Sequence, residues 1–99
     1  MKPVKSLKFK IDDSPLIVTV KGREAWTLDH LMQAGDNGIT PIERPAPRWS
    51  EYVRGLREKT VKIETIPEKH KGPYSGTHGR YVLRSDIEVV ERVDAESQQ

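Results

Sequence analysis

Residues 48–59 constrain the fold most, because they predict an amphipathic helix that has to bury one side. Trp49, Val53 and Leu56 recur at helical spacing and share one face, while arginine and glutamate side chains occupy most of the remaining surface. Gly55 lies inside this helix at a cost of about 1 kcal/mol relative to alanine. It is therefore either a tolerated defect or a point at which another backbone approaches closely.

Two strands joined by a basic loop follow this helix. Residues 61–66 alternate Val and Ile with polar residues, which is the clearest strand pattern in the sequence. Residues 80–84 form a second short strand, with Tyr81 and Leu83 on one face. Residues 67–79 are rich in Gly, Pro, Lys and His, which predicts a loop. The three segments together predict a β-hairpin with a large tip.

The two ends of the chain carry weaker patterns. Residues 6–11 alternate apolar residues with lysine or serine, residues 12–15 predict a turn, and residues 16–20 are mostly apolar and β-branched. The first 20 residues therefore predict either a hairpin or a single strand. In the single-strand interpretation, residues 6–11 are disordered and only residues 16–20 are ordered. Residues 85–99 are expected to extend the preceding strand and to end in an acidic, disordered tail.

Residues 22–34 predict another helix, which ends at Gly35. Its apolar stripe consists of residues at three- and four-residue steps: Ala25, Leu28, Leu31 and Met32. A glycine just past the last periodic residue is typical of a helix C-terminus. Trp26 lies almost opposite Leu28, so we expect the front strands or a partner protein to cover it.

A short third helix is predicted at Thr40-Pro41-Ile42-Glu43. Thr40 suits the cap, Pro41 suits the first helical position, and Glu43 completes a capping box. Pro45 and Pro47 limit this helix to about one turn. The chain is thus predicted to have three helices, of which the second is very short.

The order of these elements resembles the winged helix-turn-helix family, in its small bacterial and phage form. Residues 38–40 resemble the strand-like entry to the helix-turn-helix, residues 48–57 the recognition helix, residues 61–65 the strand after it, and residues 79–83 the returning wing strand. The short second helix departs from the family, in which this helix braces the recognition helix.

The resemblance implies an α+β winged helix-turn-helix domain over residues 21–84, with three helices and a C-terminal hairpin wing. Residues 1–20 would then be an N-terminal strand or hairpin extension. Residues 85–99 would be a strand extension with an acidic, disordered tail. The implied function is binding of double-stranded DNA, as a small transcriptional regulator or a phage-derived protein.

Charge is distributed unevenly along the chain. Residues 39–84 carry ten Lys and Arg against five Glu, whereas residues 85–99 carry one Arg against five Asp and Glu. A basic body with an acidic tail suits a polyanionic partner, although solvated charged surfaces have the same composition.

The resemblance also implies which side chains would contact DNA. The recognition helix fits the major groove, and basic or hydroxyl groups on the wing suit phosphates or the minor groove. Glu51 would accept from cytosine or pair with an arginine, and Arg57 is expected to form either a structural salt bridge or a phosphate contact. The implied DNA-binding residues are Arg44, Arg48, Ser50, Glu51, Arg54, Arg57, Lys69, His70, Lys71, Thr77, His78 and Arg80.

Other functions find little support in the sequence. The chain lacks cysteine, and His70 and His78 have no convincing carboxylate partner beyond Glu68, so we expect no metal and no cofactor. No pattern pairs a nucleophile with a base, so we expect no enzyme. No segment suggests a membrane span or a secretory signal, and a cytoplasmic location is expected. The alternative function is protein docking through the Trp26 face or the N-terminal hairpin.

Overall fold

The computed structural model describes residues 3–41, 48–70 and 76–95. The predicted α+β class is confirmed. The elements in chain order are β1 (Val4–Ile11), β2 (Val18–Lys21), α1 (Gly22–Ala34), a 3-10 turn (Gly35–Asn37), α2 (Trp49–Glu58), β3 (Ile63–His70), β4 (Gly76–Leu83) and β5 (Ile87–Asp94).

Three of the strands form an antiparallel sheet in the order β2-β1-β5. The central strand β1 pairs Leu7 with Val20 on one side and Phe9 with Val89 on the other. Its alternating pattern is realised, because Leu7, Phe9 and Ile11 are buried. The N-terminal segment thus forms a hairpin with β2, and its first strand is ordered.

The last strand pairs with the first strand instead of continuing the hairpin that precedes it. After β4 the chain turns through Ser85, whose hydroxyl accepts a hydrogen bond from the Lys62 backbone N–H at 2.7 Å. β5 then runs along β1. Residues 96–99, where the sequence predicts a disordered acidic tail, lie outside the described residues.

An ion pair holds β5 against α1. The Arg92 guanidinium lies 2.7 Å from an Asp29 carboxylate oxygen and also binds Asp94. Hydrogen bonding to Asp29, and then to Asp94, raises the pKa of Arg92. Arg92 therefore stays charged and fixes the outer strand to the helix beneath it.

The core lies where α1, the β2-β1-β5 sheet and α2 meet. α1 buries Ala25, Leu28 and Leu31 as its stripe predicts, and its last turn is closed by Gly35, whose N–H donates to the Leu31 carbonyl. α2 packs against α1. Among the residues that the structure describes, no helix is long and apolar enough to cross a bilayer.

Two α-helices occur among the described residues. The short helix predicted to start at Thr40 and Pro41 extends into residues 42–47, which lie outside them. Thr40 itself is buried. The predicted count of three helices therefore stays a prediction.

Gly38 permits a backbone contact that ties the region after α1 to β4. Ile39 and Tyr81 exchange two backbone hydrogen bonds of 2.9 and 2.8 Å. Gly38 has a φ of 65°, and an added Cβ would lie 2.6 Å from the Tyr81 carbonyl oxygen. A larger residue at position 38 would push the segment at Ile39 away from β4.

We expect Gly38→Ala to lower the free energy of unfolding by about 3 kcal/mol, since left-handed strain and a backbone clash add together. Gly35→Ala is the matched control, because Gly35 also has a positive φ but has open space around it. It should lose only about 1 kcal/mol. Urea unfolding followed by circular dichroism measures both, and equal losses would contradict the role of the clash.

Candidate nucleic-acid interface

Helix α2 turns its apolar side inward and its charged side to solvent. Trp49, Val53 and Leu56 are all buried, with 3% of Trp49 exposed. Arg48 and Arg54 are exposed. Ser50 and Glu51, also predicted as contact residues, are exposed on the same helix. The predicted orientation of this helix is realised in the fold.

Arg48 begins the helix in a left-handed conformation, with a φ of 67°. Its carbonyl oxygen accepts hydrogen bonds from the backbone N–H groups of Glu51 and Tyr52 at 3.0 and 3.1 Å. Its guanidinium lies 3.5 Å from a Glu51 carboxylate oxygen, and 71% of the Arg48 side chain is exposed. An exposed pair of this kind contributes at most about 1 kcal/mol, so both side chains can change partners at little cost.

Arg57 ties the end of α2 to the first wing strand. Its Nε and Nη2 donate to the Ile63 carbonyl oxygen at 3.1 and 2.6 Å. Nη2 also donates to the Thr65 hydroxyl at 2.8 Å. The partners of Arg57 are thus a carbonyl and a hydroxyl, so this contact differs from the salt bridge that the sequence suggested.

Arg80 ties the wing to the turn after α1. It forms an ion pair with Glu68, which lies on β3 two residues after Ile66, the residue directly opposite Arg80. The Arg80 Nη2 is 3.2 Å from one Glu68 oxygen. Its Nη1 donates to the Asn37 carbonyl oxygen at 2.8 Å. Only 24% of the Arg80 side chain is exposed. Three elements are joined by this one side chain.

The hairpin of β3 and β4 is longer than the sequence predicts. Pairing runs from Ile63 opposite Leu83 to His70 opposite Gly76, so the prediction of a loop over all of residues 67–79 is wrong. Pro67 is accommodated because β3 is an edge strand of a two-stranded sheet. The Glu68–Arg80 ion pair favours this longer strand pairing. The sequence did not predict it, because the Gly, Pro, Lys and His content of residues 67–79 is typical of a loop.

The remaining predicted wing residues are only partly described. Lys69 is exposed on β3. His70, Thr77 and His78 belong to the paired backbone of the hairpin, and their side chains lie outside the described set. Arg44 and Lys71 lie outside the described residues altogether.

A row of aromatic rings connects α1, α2 and the wing. The Trp26 ring centroid lies 4.4 Å from that of His30 and 5.4 Å from that of Trp49. Trp49 stacks on Tyr81 of β4 at 6.2 Å. The sequence showed each aromatic residue on its own element, whereas the row exists only because three elements converge. Trp26 is thus covered in part by α2.

Gly55 makes room for a side chain of α1. A Cβ at this position would collide with the Glu24 carboxylate, which also lies 2.7 Å from the Lys59 ammonium. The approaching group is therefore a carboxylate, and not the backbone that one of the two sequence interpretations of Gly55 proposed. Glu24 and Lys59 join the two helices.

We expect Gly55→Ala to change stability little, because the gain in helix propensity is offset by displacement of Glu24. In a Glu24→Ala background the same substitution should raise the free energy of unfolding by about 1 kcal/mol. The difference between the two backgrounds, obtained from four urea titrations, measures the coupling. Equal effects in both backgrounds would show that the carboxylate does not occupy this space.

A family model described as a winged helix domain matches residues 17–93. The chain belongs to the winged helix family. The match includes all of β2 and most of β5 but not β1, and so extends beyond residues 21–84 at both ends. Searches among curated proteins and among solved structures found no match.

The matched range contains α2, which the sequence predicts to be the recognition helix, and the β3-β4 hairpin, which it predicts to be the wing. Domains of this family are typically DNA-binding modules and not enzymes. No cluster of three metal-ligating side chains occurs among the described residues. The exposed face of α2 and the β3-β4 hairpin are therefore the candidate interface.

Proposed function

We propose that this winged helix domain binds double-stranded DNA with α2 in the major groove and the wing on neighbouring phosphates. The observation that carries the proposal is the outward face of α2, which exposes Arg48, Ser50 and Arg54 while Trp49 and Val53 anchor the opposite face. A helix with this arrangement can approach base edges without losing its contact with the core.

Each exposed side chain of α2 has a defined role in this proposal. Arg48 and Arg54 donate to guanine or to phosphate, and Ser50 donates to either. Glu51 accepts from the cytosine amino group after leaving its weak pair with Arg48. Because a carboxylate repels phosphate, Glu51 favours base recognition and hence sequence-specific binding over purely electrostatic binding.

The wing supplies phosphate contacts in this proposal. Lys69 is exposed on β3 and is available to a backbone phosphate. We assign the same role to the other polar residues predicted near the hairpin tip, and to Arg44 before α2. These residues are His70, Lys71, Thr77 and His78.

We assign Arg57 and Arg80 a positioning role. Their guanidinium groups are hydrogen bonded to β3, and that of Arg80 also to the turn after α1. The bonds from Arg57 to β3 and from Arg80 to Asn37 fix the wing relative to the helices, so the angle between α2 and the wing depends on them. The two residues thus shape the DNA-binding surface, and contact with DNA is proposed for their neighbours.

An NMR titration of the full chain with a 20-base-pair duplex tests this proposal. At low salt we expect amide shifts concentrated in residues 44–58 and 68–80. These shifts should become smaller as salt is added, because salt weakens the contacts between basic side chains and phosphates. Shifts concentrated on the β2-β1-β5 sheet, or an absence of shifts at low salt, would overturn the proposal.

A further inference from the structure

A groove of about 910 Å³ opens at one end of the β2-β1-β5 sheet. The start of β1, the junction of β2 with α1, and the end of β5 form its walls. We call it the Trp26 groove, because the half-buried Trp26 ring lines it together with Pro3, Val4 and Val93.

The floor of the Trp26 groove is apolar and reachable from solvent. Val93 is 39% exposed, although it lies on a strand of the sheet. The Trp26 ring contacts Trp49 and His30, and it also lines the groove. Exposed apolar surface gathered in a concave site is typical of binding sites.

Three cations surround this apolar floor. They are Lys5 on β1, Lys21 at the end of β2, and Arg23 in the first turn of α1. Within the described part of the chain, none of the three lies within ion-pair distance of a carboxylate. The Arg23 guanidinium instead lies 5.4 Å from the Trp26 ring centroid, where a cation–π interaction keeps it beside the groove.

The unpaired state of these cations contrasts with other arginines of the domain. Arg80, Arg84 and Arg92 each bind a carboxylate of a neighbouring element. At the rim of the Trp26 groove the described residues thus bring positive charges together without a carboxylate that pairs with them. A bound partner can supply it.

We propose that the Trp26 groove binds an acidic segment of a partner protein that also carries apolar side chains. Apolar side chains of the segment would cover Trp26 and Val93, and its carboxylates would pair with the rim cations. Duplex DNA would satisfy the rim but would leave the apolar floor without a partner. The groove is open to solvent, which suits an extended peptide better than a small molecule that needs enclosure.

The test starts from a phage-displayed library of random 12-residue peptides selected on the immobilised full chain. We expect enrichment of peptides that combine Asp or Glu with Trp, Phe or Leu. The most enriched peptide is then synthesised with a fluorescent label, and its affinity is measured by anisotropy. Affinity should fall as salt rises, because the rim is exposed.

Charge reversal locates the binding site. Lys5→Glu/Lys21→Glu should weaken binding of the selected peptide by about tenfold or more, as two attractions become repulsions. Lys10→Glu/Lys62→Glu makes the same change in net charge away from the groove and should change affinity less than about threefold. Val93→Glu should also weaken binding, because it places an acid in the floor. Circular dichroism confirms that each variant is folded.

Several outcomes would overturn the proposal. The first is a selection that does not enrich peptides with both acidic and apolar residues. The second is a selected peptide that binds Lys5→Glu/Lys21→Glu as tightly as it binds the wild-type chain. The third is self-association of the wild-type chain that Lys5→Glu/Lys21→Glu abolishes. The last result would identify a second copy as the occupant. Loss of DNA affinity in Lys5→Glu/Lys21→Glu, with no effect on peptide binding, would assign the rim to DNA. The peptide selection, the anisotropy titrations and the self-association measurement do not depend on the DNA-binding role of α2.

Discussion

Replacing Trp49 by alanine should lower the free energy of unfolding by about 3–5 kcal/mol, because a large buried aromatic side chain is removed from a well-packed site. Trp49 is 3% exposed and contacts both the Trp26 ring on α1 and the Tyr81 ring on β4. A domain of this size has only about 5–15 kcal/mol of stability in total, so the variant should be marginally folded.

Urea unfolding monitored by circular dichroism checks this expectation, with a midpoint expected to fall by about 2 M. Trp26→Ala is the control, since Trp26 is only half-buried and borders an open groove. It should lose clearly less stability than Trp49→Ala. A loss below about 1 kcal/mol for Trp49→Ala would show that Trp49 does not anchor α2 to the core.

The second large effect concerns the two arginines on the outward face of α2. We expect Arg48→Ala/Arg54→Ala to weaken duplex binding by about 100-fold, since each contact to a base or phosphate contributes about 1–3 kcal/mol. Both side chains are exposed, so the free energy of unfolding should change little. Fluorescence anisotropy with a labelled 20-base-pair duplex measures the affinity.

The salt dependence of the same titrations separates two kinds of contact. If both arginines bind phosphates, the slope of log K against log salt should decrease by about 2 in magnitude. If they contact base edges, affinity should fall with a nearly unchanged slope and discrimination between sequences should weaken.

A matched variant controls for charge alone. Lys8→Ala/Lys10→Ala removes two positive charges from β1, whose main helical neighbour is α1. Its affinity for the duplex should stay within about threefold of wild type. If it weakens binding as much as Arg48→Ala/Arg54→Ala, the attraction arises from net charge and α2 has no special role.

The candidate site was predictable where its geometry depends on local periodicity. The spacing of Trp49, Val53 and Leu56 fixes which side of α2 is buried, and it therefore also fixes that Arg48 and Arg54 face solvent. The roles of Arg57 and Arg80 were not predictable in this way. Both were predicted as DNA contacts like the other basic residues, and only their hydrogen-bond partners in the fold distinguish them.

Those partners come from segments that are distant in sequence. Arg80 binds a carbonyl oxygen 43 residues earlier in the chain, and Lys59 binds Glu24 35 residues earlier. No pattern within one element reveals such contacts, because a side chain's partner depends on how elements are placed around the core. The stacking of Trp49 on Tyr81 was not predictable for the same reason, since it requires α2 and β4 to meet.

The amino-acid order alone determined the amphipathic helices and the alternating strands, since these depend on the repeat of apolar residues along one element. Tertiary structure alone decided that β5 joins β1, that the hairpin extends to His70 and Gly76, and that the Trp26 groove exists. Each of these features requires two or more segments to meet, and the chain achieves this only when its core is buried.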